Sequence, residues 1–171
     1  MLEVIKLALL HGVIISVFLT IVLLISLLIN AEMWLNDYPP DVREKYGEMG
    51  DRAKKQRIPL AIAFFGAIIV PLSIGVAQIM RTPPNGPIFG ALFLYGFITL
   101  FFFNLYDLLI LDWLIFVTIQ PAFIILPGTE GMSGYKDYYF HFKGFLKGIG
   151  FCTIGGLVVA VVGSLINLIS I

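Results

Sequence analysis

Long uninterrupted apolar runs constrain this chain more than any other feature of its sequence. Residues 58–80 contain no charged side chain, and residues 4–29 and 145–169 contain only Lys6, His11 and Lys147 as charged or imidazole groups. A helix needs about 20 mainly apolar residues to cross ~30 Å of hydrocarbon while satisfying its own backbone amides. Charged residues make up only 13% of the chain, whereas soluble domains carry roughly 25%. We therefore expect an all-α integral membrane protein, with residues 1–171 forming a single transmembrane domain.

Charge and cysteine content exclude several classes of function. The 11 basic and 11 acidic residues balance, whereas a nucleic-acid-binding protein needs a basic surplus to neutralise phosphates. The single cysteine, Cys152, excludes an intramolecular disulfide and a thiolate zinc cluster. The chain also has no His-x-x-Glu or His-x-x-x-His pair and no nucleotide-binding glycine motif. We expect no nucleic-acid partner, no metal site and no cofactor.

The apolar region 88–126 is too long for one crossing, because 39 residues would extend ~58 Å as a helix. Two crossings would need a turn near residues 106–107, where no glycine, proline or polar run provides one. The sequence therefore favours one span over about 88–111 or beyond. Residues 113–126, interrupted by Pro121, are then an additional interfacial or re-entrant apolar segment after this third span.

The basic residues decide the orientation. The predicted spans, about 4–29, 58–80, 88–111 and 145–169, form a four-helix transmembrane bundle. Its loops 31–57 and 127–144, together with Lys147, contain every basic residue except Lys6 and Arg81. Because basic loops stay in the cytoplasm, these two loops are predicted to be cytoplasmic. We expect a multi-pass protein of the cell membrane with both termini outside the cytoplasm.

Carboxylates in or near a span are functional candidates, because each costs roughly 2.5–3.5 kcal/mol to insert. Asp107 and Asp112 lie near the cytoplasmic end of the third predicted span, with Asn104 one helical turn before Asp107. Charged groups of the second cytoplasmic loop and the start of the last span fall at a similar depth. The candidate binding residues are Asn104, Asp107, Asp112, Glu130, His141, Lys143 and Lys147.

Several functions fit this set. The leading hypothesis is a transport or solute/ion-binding component with a polar site open to the cytoplasm. An alternative is a membrane-embedded enzyme acting on a lipid or amphiphile headgroup, with Asp107 or His141 as general acid or base. In a third interpretation, both aspartates pair with Lys143 or Lys147 and the chain is a non-catalytic assembly subunit. The sequence leaves open whether the protein is an enzyme.

A second polar group is predicted in the outer leaflet. His11 lies in the outer third of the first span, and Gln78 and Tyr95 reach a similar depth on their own helices. We expect His11 to be a packing residue hydrogen-bonded to one of them. The alternative is the outer end of a proton path to Asp107.

Small residues recur at every fourth position of the last span, a spacing that lets membrane helices approach closely. The partner of this face is either another helix of the same chain or a second copy, and membrane lipids are the other expected partner. In the loop 31–57, Asp41 is predicted to cap a short surface helix. The basic residues at 52–57 either bind anionic lipid or only set the orientation. The residues predicted for a homo-oligomer contact are Gly148, Cys152, Gly156 and Ala160.

Overall fold

The computed structural model describes residues 1–84 and 86–169, which form helices and loops without a strand. Four stretches of this part of the chain are long and apolar enough to cross a membrane. They are Leu2–Asp37, Asp51–Arg81, Ile88–Ile119 and Tyr138–Ile169. The α-helices are α1 (Leu2–Asn30), α2 (Pro40–Tyr46), α3 (Asp51–Arg81), α4 (Ile88–Tyr106) and α5 (Tyr138–Ile169), and the 3-10 segments are Ala31–Asp37, Ala122–Ile124 and Ser133–Lys136.

Helix α4 lies at the centre of the bundle, packed between α1 and α5, while α3 packs mainly on α1. Buried Ala8, Leu92 and Ala160 form part of the core between these helices. The outer faces are also apolar: Ile62 is 71% exposed and Phe151 is 72% exposed. A helix that is apolar all round is typical of a membrane span or a deeply buried core helix. These outward side chains are compatible with a multi-pass membrane protein.

The third long helix differs from the sequence prediction in where it ends. Helix α4 passes without a break into a π-helical segment, Asp107–Ile119. The segment ends at Gln120, which has a positive φ of 49° and donates its N–H to the Ile115 carbonyl over 2.9 Å. The prediction of a separate segment over 113–126 was therefore wrong for its first half. Gln120, in the left-handed conformation, ends the helix, and Pro121, which has no N–H to donate, follows it, so only residues 120–126 leave it.

The small residues of α5 pack against α4 within the chain. A Cβ on Gly156 would lie 3.1 Å from the Phe97 backbone nitrogen, and Cys152 and Ala160 are buried. A Cβ on Gly148 would overlap the Asn104 amide. The face proposed for contact between copies is thus occupied inside one chain, because close approach of α4 needs the same absence of side chains that a dimer would need.

Hydrogen bonds tie the loops together at the end of the bundle where α5 begins. We call this end, formed by Ala31–Asp37, α2 and residues 120–137, the capped end. Tyr38 donates to the Ile124 carbonyl over 2.7 Å, and burial raises the pKa of Tyr38, so its phenol stays a neutral donor. Asp41 does not cap α2, which begins one residue earlier after Pro39; its carboxylate instead accepts the Gly134 N–H over 2.9 Å.

Candidate functional site

Two cavities meet inside the capped end, and four ionisable side chains line both of them. Asp37 comes from the 3-10 segment after α1, Asp107 and Asp112 from the π-helical segment, and His141 from the first turn of α5. We refer to Asp37, Asp107, Asp112 and His141 as the shared cluster. Three separate parts of the sequence are needed to build it.

The first cavity is apolar and has a volume of about 250 Å³. It runs along α1 from Leu19 to Leu27, a rise of about 12 Å. Trp34 and Phe64 line another side of it with their rings edge to face, 6.1 Å between centroids. The Trp34 indole N–H donates to the Ser26 hydroxyl over 2.8 Å, which fixes the ring. This apolar cavity contains no lysine or arginine.

The second cavity is polar and has a volume of about 550 Å³. Arg43 of α2 lines it together with Lys143 and Lys147, which lie one turn apart on α5. Within the described residues none of these three cations forms an ion pair, although the Lys143 ammonium lies 4.9 Å from the centre of the Tyr139 ring. The polar cavity therefore places three cations, none of them in an ion pair among the described residues, beside the shared cluster.

The closest contact within the shared cluster joins Asp112 and His141, whose Oδ1 and Nδ1 atoms lie 2.9 Å apart. His141 is only 6% exposed, and its Nε2 has no hydrogen-bond partner among the described residues. The Phe116 and Phe140 rings pack against the imidazole at 5.0 and 5.2 Å. When a neutral imidazole donates from Nδ1 to a carboxylate, its Nε2 carries the lone pair. This arrangement is the one that a general base needs.

The π-helical segment explains why two aspartates five residues apart belong to one site. In an α-helix they would point about 140° apart. Because π-helical hydrogen bonds join residues i and i+5, Asp107 and Asp112 lie close to one turn apart and line the same cavities. π-helical turns are rare and occur frequently at functional sites.

The shared cluster contains more hydrogen-bond acceptors than donors. Asp37 and Asp107 form no side-chain hydrogen bond or ion pair in the described part of the chain. Both lie close enough to Asp112 for mutual charge repulsion. A carboxylate that is ionised only accepts hydrogen bonds, and the His141 Nε2 has no partner among the described residues, so the cluster is suited to a ligand that brings donors.

Most of the binding residues proposed from the sequence come together here, and one does not. Asn104 lines the polar cavity and donates to the Phe145 carbonyl over 3.1 Å. Glu130 lies outside both cavities and accepts the Gly128 N–H over 3.0 Å. Its own backbone amide and that of Gly128 hold the pKa of the Glu130 carboxyl below its ordinary value. The proposed residues that line the polar cavity are Asn104, Asp107, Asp112, His141, Lys143 and Lys147.

Sequence reasoning missed Asp37 and Arg43. Both lie in a loop rich in charged residues, where a surface position is the ordinary expectation. The available signal was position: Asp37 follows the first apolar run closely, and Pro39 and Pro40 then turn the chain before Arg43. That turn brings Asp37 and Arg43 to the cavities at the capped end.

The outer polar group forms a compact contact without Gln78. The Tyr95 hydroxyl lies 2.8 Å from His11 Nδ1 and 3.2 Å from the Pro71 carbonyl oxygen, whereas Gln78 is exposed. Between this contact and the shared cluster, Phe102 packs on Gly12 so closely that a Cβ there would lie 2.8 Å from the phenylalanine Cβ.

Residues 1–84 and 86–169 contain no group of three histidine, cysteine or acidic side chains arranged to hold a metal ion. No protein-family model matches the chain, and neither a curated protein nor a solved structure is significantly similar to it. The site's own geometry must therefore support any functional proposal.

Proposed function

We propose that this chain is an integral membrane protein that binds an amphiphile at its capped end, which faces the cytoplasm. The four long apolar helices support the membrane location. Arg43, Lys143 and Lys147 all lie at the capped end, and the excess of basic residues in the flanking loops supports the orientation.

The meeting of the apolar and polar cavities at the shared cluster carries this proposal. Ligand sites combine an apolar lining with a few convergent polar groups. Here the apolar side chains line one cavity and most of the polar side chains line the adjoining one. An amphiphile has the matching division, with its tail between α1 and the π-helical segment and its head in the polar cavity.

Quenching of Trp34 fluorescence tests the proposal directly. The protein is studied in lipid nanodiscs with Trp113 replaced by Phe, so that Trp34 is the remaining indole. A dibrominated monoacylglycerol is the probe, and we expect saturable quenching that an unbrominated monoacylglycerol reverses. The double variant L19F/L23F fills the apolar cavity and should abolish the saturable component, whereas L28F, at an exposed position of α1, should retain it. Quenching that rises linearly with the probe and is equal in all variants would refute the proposal.

Amphiphile binding is compatible with a transport component, but the packing above the site favours a one-sided function. Phe102 on Gly12 and the contact of His11 with Tyr95 fill the interior between the shared cluster and the opposite end of the bundle. A path through the bundle requires both contacts to separate. Transport is therefore the weaker form of the proposal.

An enzyme is the second candidate, and the contact between Asp112 and His141 favours it. With Nδ1 directed at the carboxylate, His141 Nε2 is the candidate general base, and Asp107 is the nearby candidate acid. Neither cavity lining contains serine, threonine or cysteine, so the nucleophile in this scheme is water or a hydroxyl of the substrate.

Ester hydrolysis tests the enzyme candidate. With para-nitrophenyl octanoate as the probe, H141Q and D112N should lower kcat by at least tenfold with little change in KM, and D51N on the exposed start of α3 should have no effect. Equal turnover by the protein and by H141Q would reject His141 as the base. It would leave the binding proposal intact.

A further inference from the structure

We infer that the ligand is a single-chain amphiphile with a hydrogen-bond donor, a hydroxyl or ammonium group, next to its tail and a phosphate at its far end. This inference rests on the proposed amphiphile binding and adds the chemical class of the ligand. It follows from the order in which apolar, acidic and basic side chains line the two cavities.

The two linings define that order. The apolar cavity contains the carboxylates of the shared cluster but no lysine or arginine. Arg43, Lys143 and Lys147 line only the polar cavity. A ligand whose tail lies along Leu19–Leu27 therefore meets carboxylates first and cations second. A cavity of about 250 Å³ is also small beside the 300–1,000 Å³ of typical ligand pockets, which favours one chain over two.

The middle of the ligand must donate hydrogen bonds. Asp112 is already paired with His141, but Asp37 and Asp107 form no hydrogen bond or ion pair within residues 1–84 and 86–169. His141 contributes a further atom at the same place, because its buried Nε2 has no hydrogen-bond partner among the described residues. A buried polar atom without a partner is costly. A hydroxyl or ammonium group next to the tail would donate to this nitrogen or to the carboxylates of Asp37, which is exposed, and Asp107, which is half-buried.

The far end of the ligand must be an anion. Arg43 belongs to α2, whereas Lys143 and Lys147 belong to one face of α5, so the three cations come from two separate elements around one cavity. No carboxylate of the described residues forms an ion pair with any of them. A terminal phosphate has three acceptor oxygens and pairs strongly with arginine and lysine. It therefore matches three cations better than a carboxylate does.

Competition in the Trp34 assay tests this head-group chemistry. The competitors of the brominated monoacylglycerol probe are lysophosphatidate, its deoxy analogue without the free hydroxyl, and unbrominated monoacylglycerol without the phosphate. We expect lysophosphatidate to displace the probe about tenfold more effectively than either, because each analogue loses charge-assisted hydrogen bonds. Sphingosine phosphate, with an ammonium group next to its tail, tests the other donor in parallel.

Variants assign each part of the head to its residues. R43Q/K143Q/K147Q should remove the advantage of lysophosphatidate over monoacylglycerol, and D107N should remove its advantage over the deoxy analogue. The matched control K45Q/K55Q/K136Q removes three exposed cations that do not line the polar cavity, and it should behave like the unchanged protein.

The outcomes separate this inference from the proposed function. If saturable quenching occurs but all competitors are equally effective, the head-group inference is overturned and amphiphile binding stands. Equal weakening of lysophosphatidate by both triple variants would also overturn it, because the effect would then come from general surface charge. If no saturable quenching occurs with any probe, both proposals fall.

Discussion

Asp112 Oδ1 lies 2.9 Å from His141 Nδ1, so a close polar contact joins the π-helical segment to the first turn of α5. The sequence allowed a different partner for this aspartate, Lys143 or Lys147, and neither forms an ion pair with it. The difference matters for function. With Asp112 beside the histidine, both lysines line the polar cavity without an ion pair among the described residues.

The contact between Asp112 and His141 should contribute to stability as a pair. We expect D112N to lower the free energy of unfolding by about 1–3 kcal/mol, because it removes the carboxylate that lies 2.9 Å from a buried imidazole nitrogen. In a double-mutant cycle with H141Q, thermal unfolding in nanodiscs should show non-additive effects. Additive effects would mean that the two side chains do not interact in the folded protein.

Alanine substitutions at two glycines of α5 distinguish the effect of close packing from the effect of helix propensity. In G148A the added methyl group overlaps the Asn104 amide and displaces it from the Phe145 carbonyl, so we expect a loss of about 1–3 kcal/mol. G150A is the matched control, because nothing lies within 4 Å of a Cβ there. It should be neutral or more stable by up to about 1 kcal/mol. Equal melting temperatures for the two variants would contradict the packing of α4 on α5.

A similar pair of variants tests the outer polar contact. In G75A the new methyl group overlaps the Tyr95 hydroxyl and disturbs its bond to His11. We expect a loss of about 1–3 kcal/mol in thermal unfolding, and Y95F should reproduce most of it. G66A lies on the same helix with nothing within 4 Å of its Cβ and should not destabilise. If G75A melts like G66A, α3 does not approach Tyr95 as described.

Labelling of single cysteines tests the orientation. In a C152S background, E48C lies in an exposed loop at the capped end and T82C lies at the opposite end of α3. We expect a membrane-impermeant maleimide to label T82C in intact cells and E48C only after permeabilisation, because basic loops remain in the cytoplasm. The reverse pattern would place the capped end outside the cytoplasm.

The sequence predicted the long helices well because each crossing-length run is defined by local composition. The predicted end of the third helix, near residue 111, was too early, because the helix continues to Ile119. The choice between α and π hydrogen bonding in this part has no strong signal in composition. That choice rotates Asp112 relative to Asp107 and brings both to the same cavities. The spacing of small residues on α5 likewise does not say which helix packs on that face. In the structure it is α4, and a contact between copies stays a prediction.

Asp37 and Arg43 show most clearly what a local sequence pattern does not predict. The charge of their loop predicts a cytoplasmic location, but nothing local indicates that Pro39 and Pro40 turn the chain toward the two cavities. The contact of Asp41 with Gly134, and that of Tyr38 with Ile124, hold the turn in place from distant parts of the chain.

The sequence by itself determined which segments form the long apolar helices, because hydrophobicity and helix length act over neighbouring residues. It also identified Asp107 and Asp112 as costly polar groups and His141 as a candidate site residue. Only the tertiary structure decided that Asp112 pairs with His141 and that Asp37 joins them between an apolar and a polar cavity. Those relationships depend on π-helical rotation and on contacts between segments far apart in the chain, and neither is encoded in a local pattern.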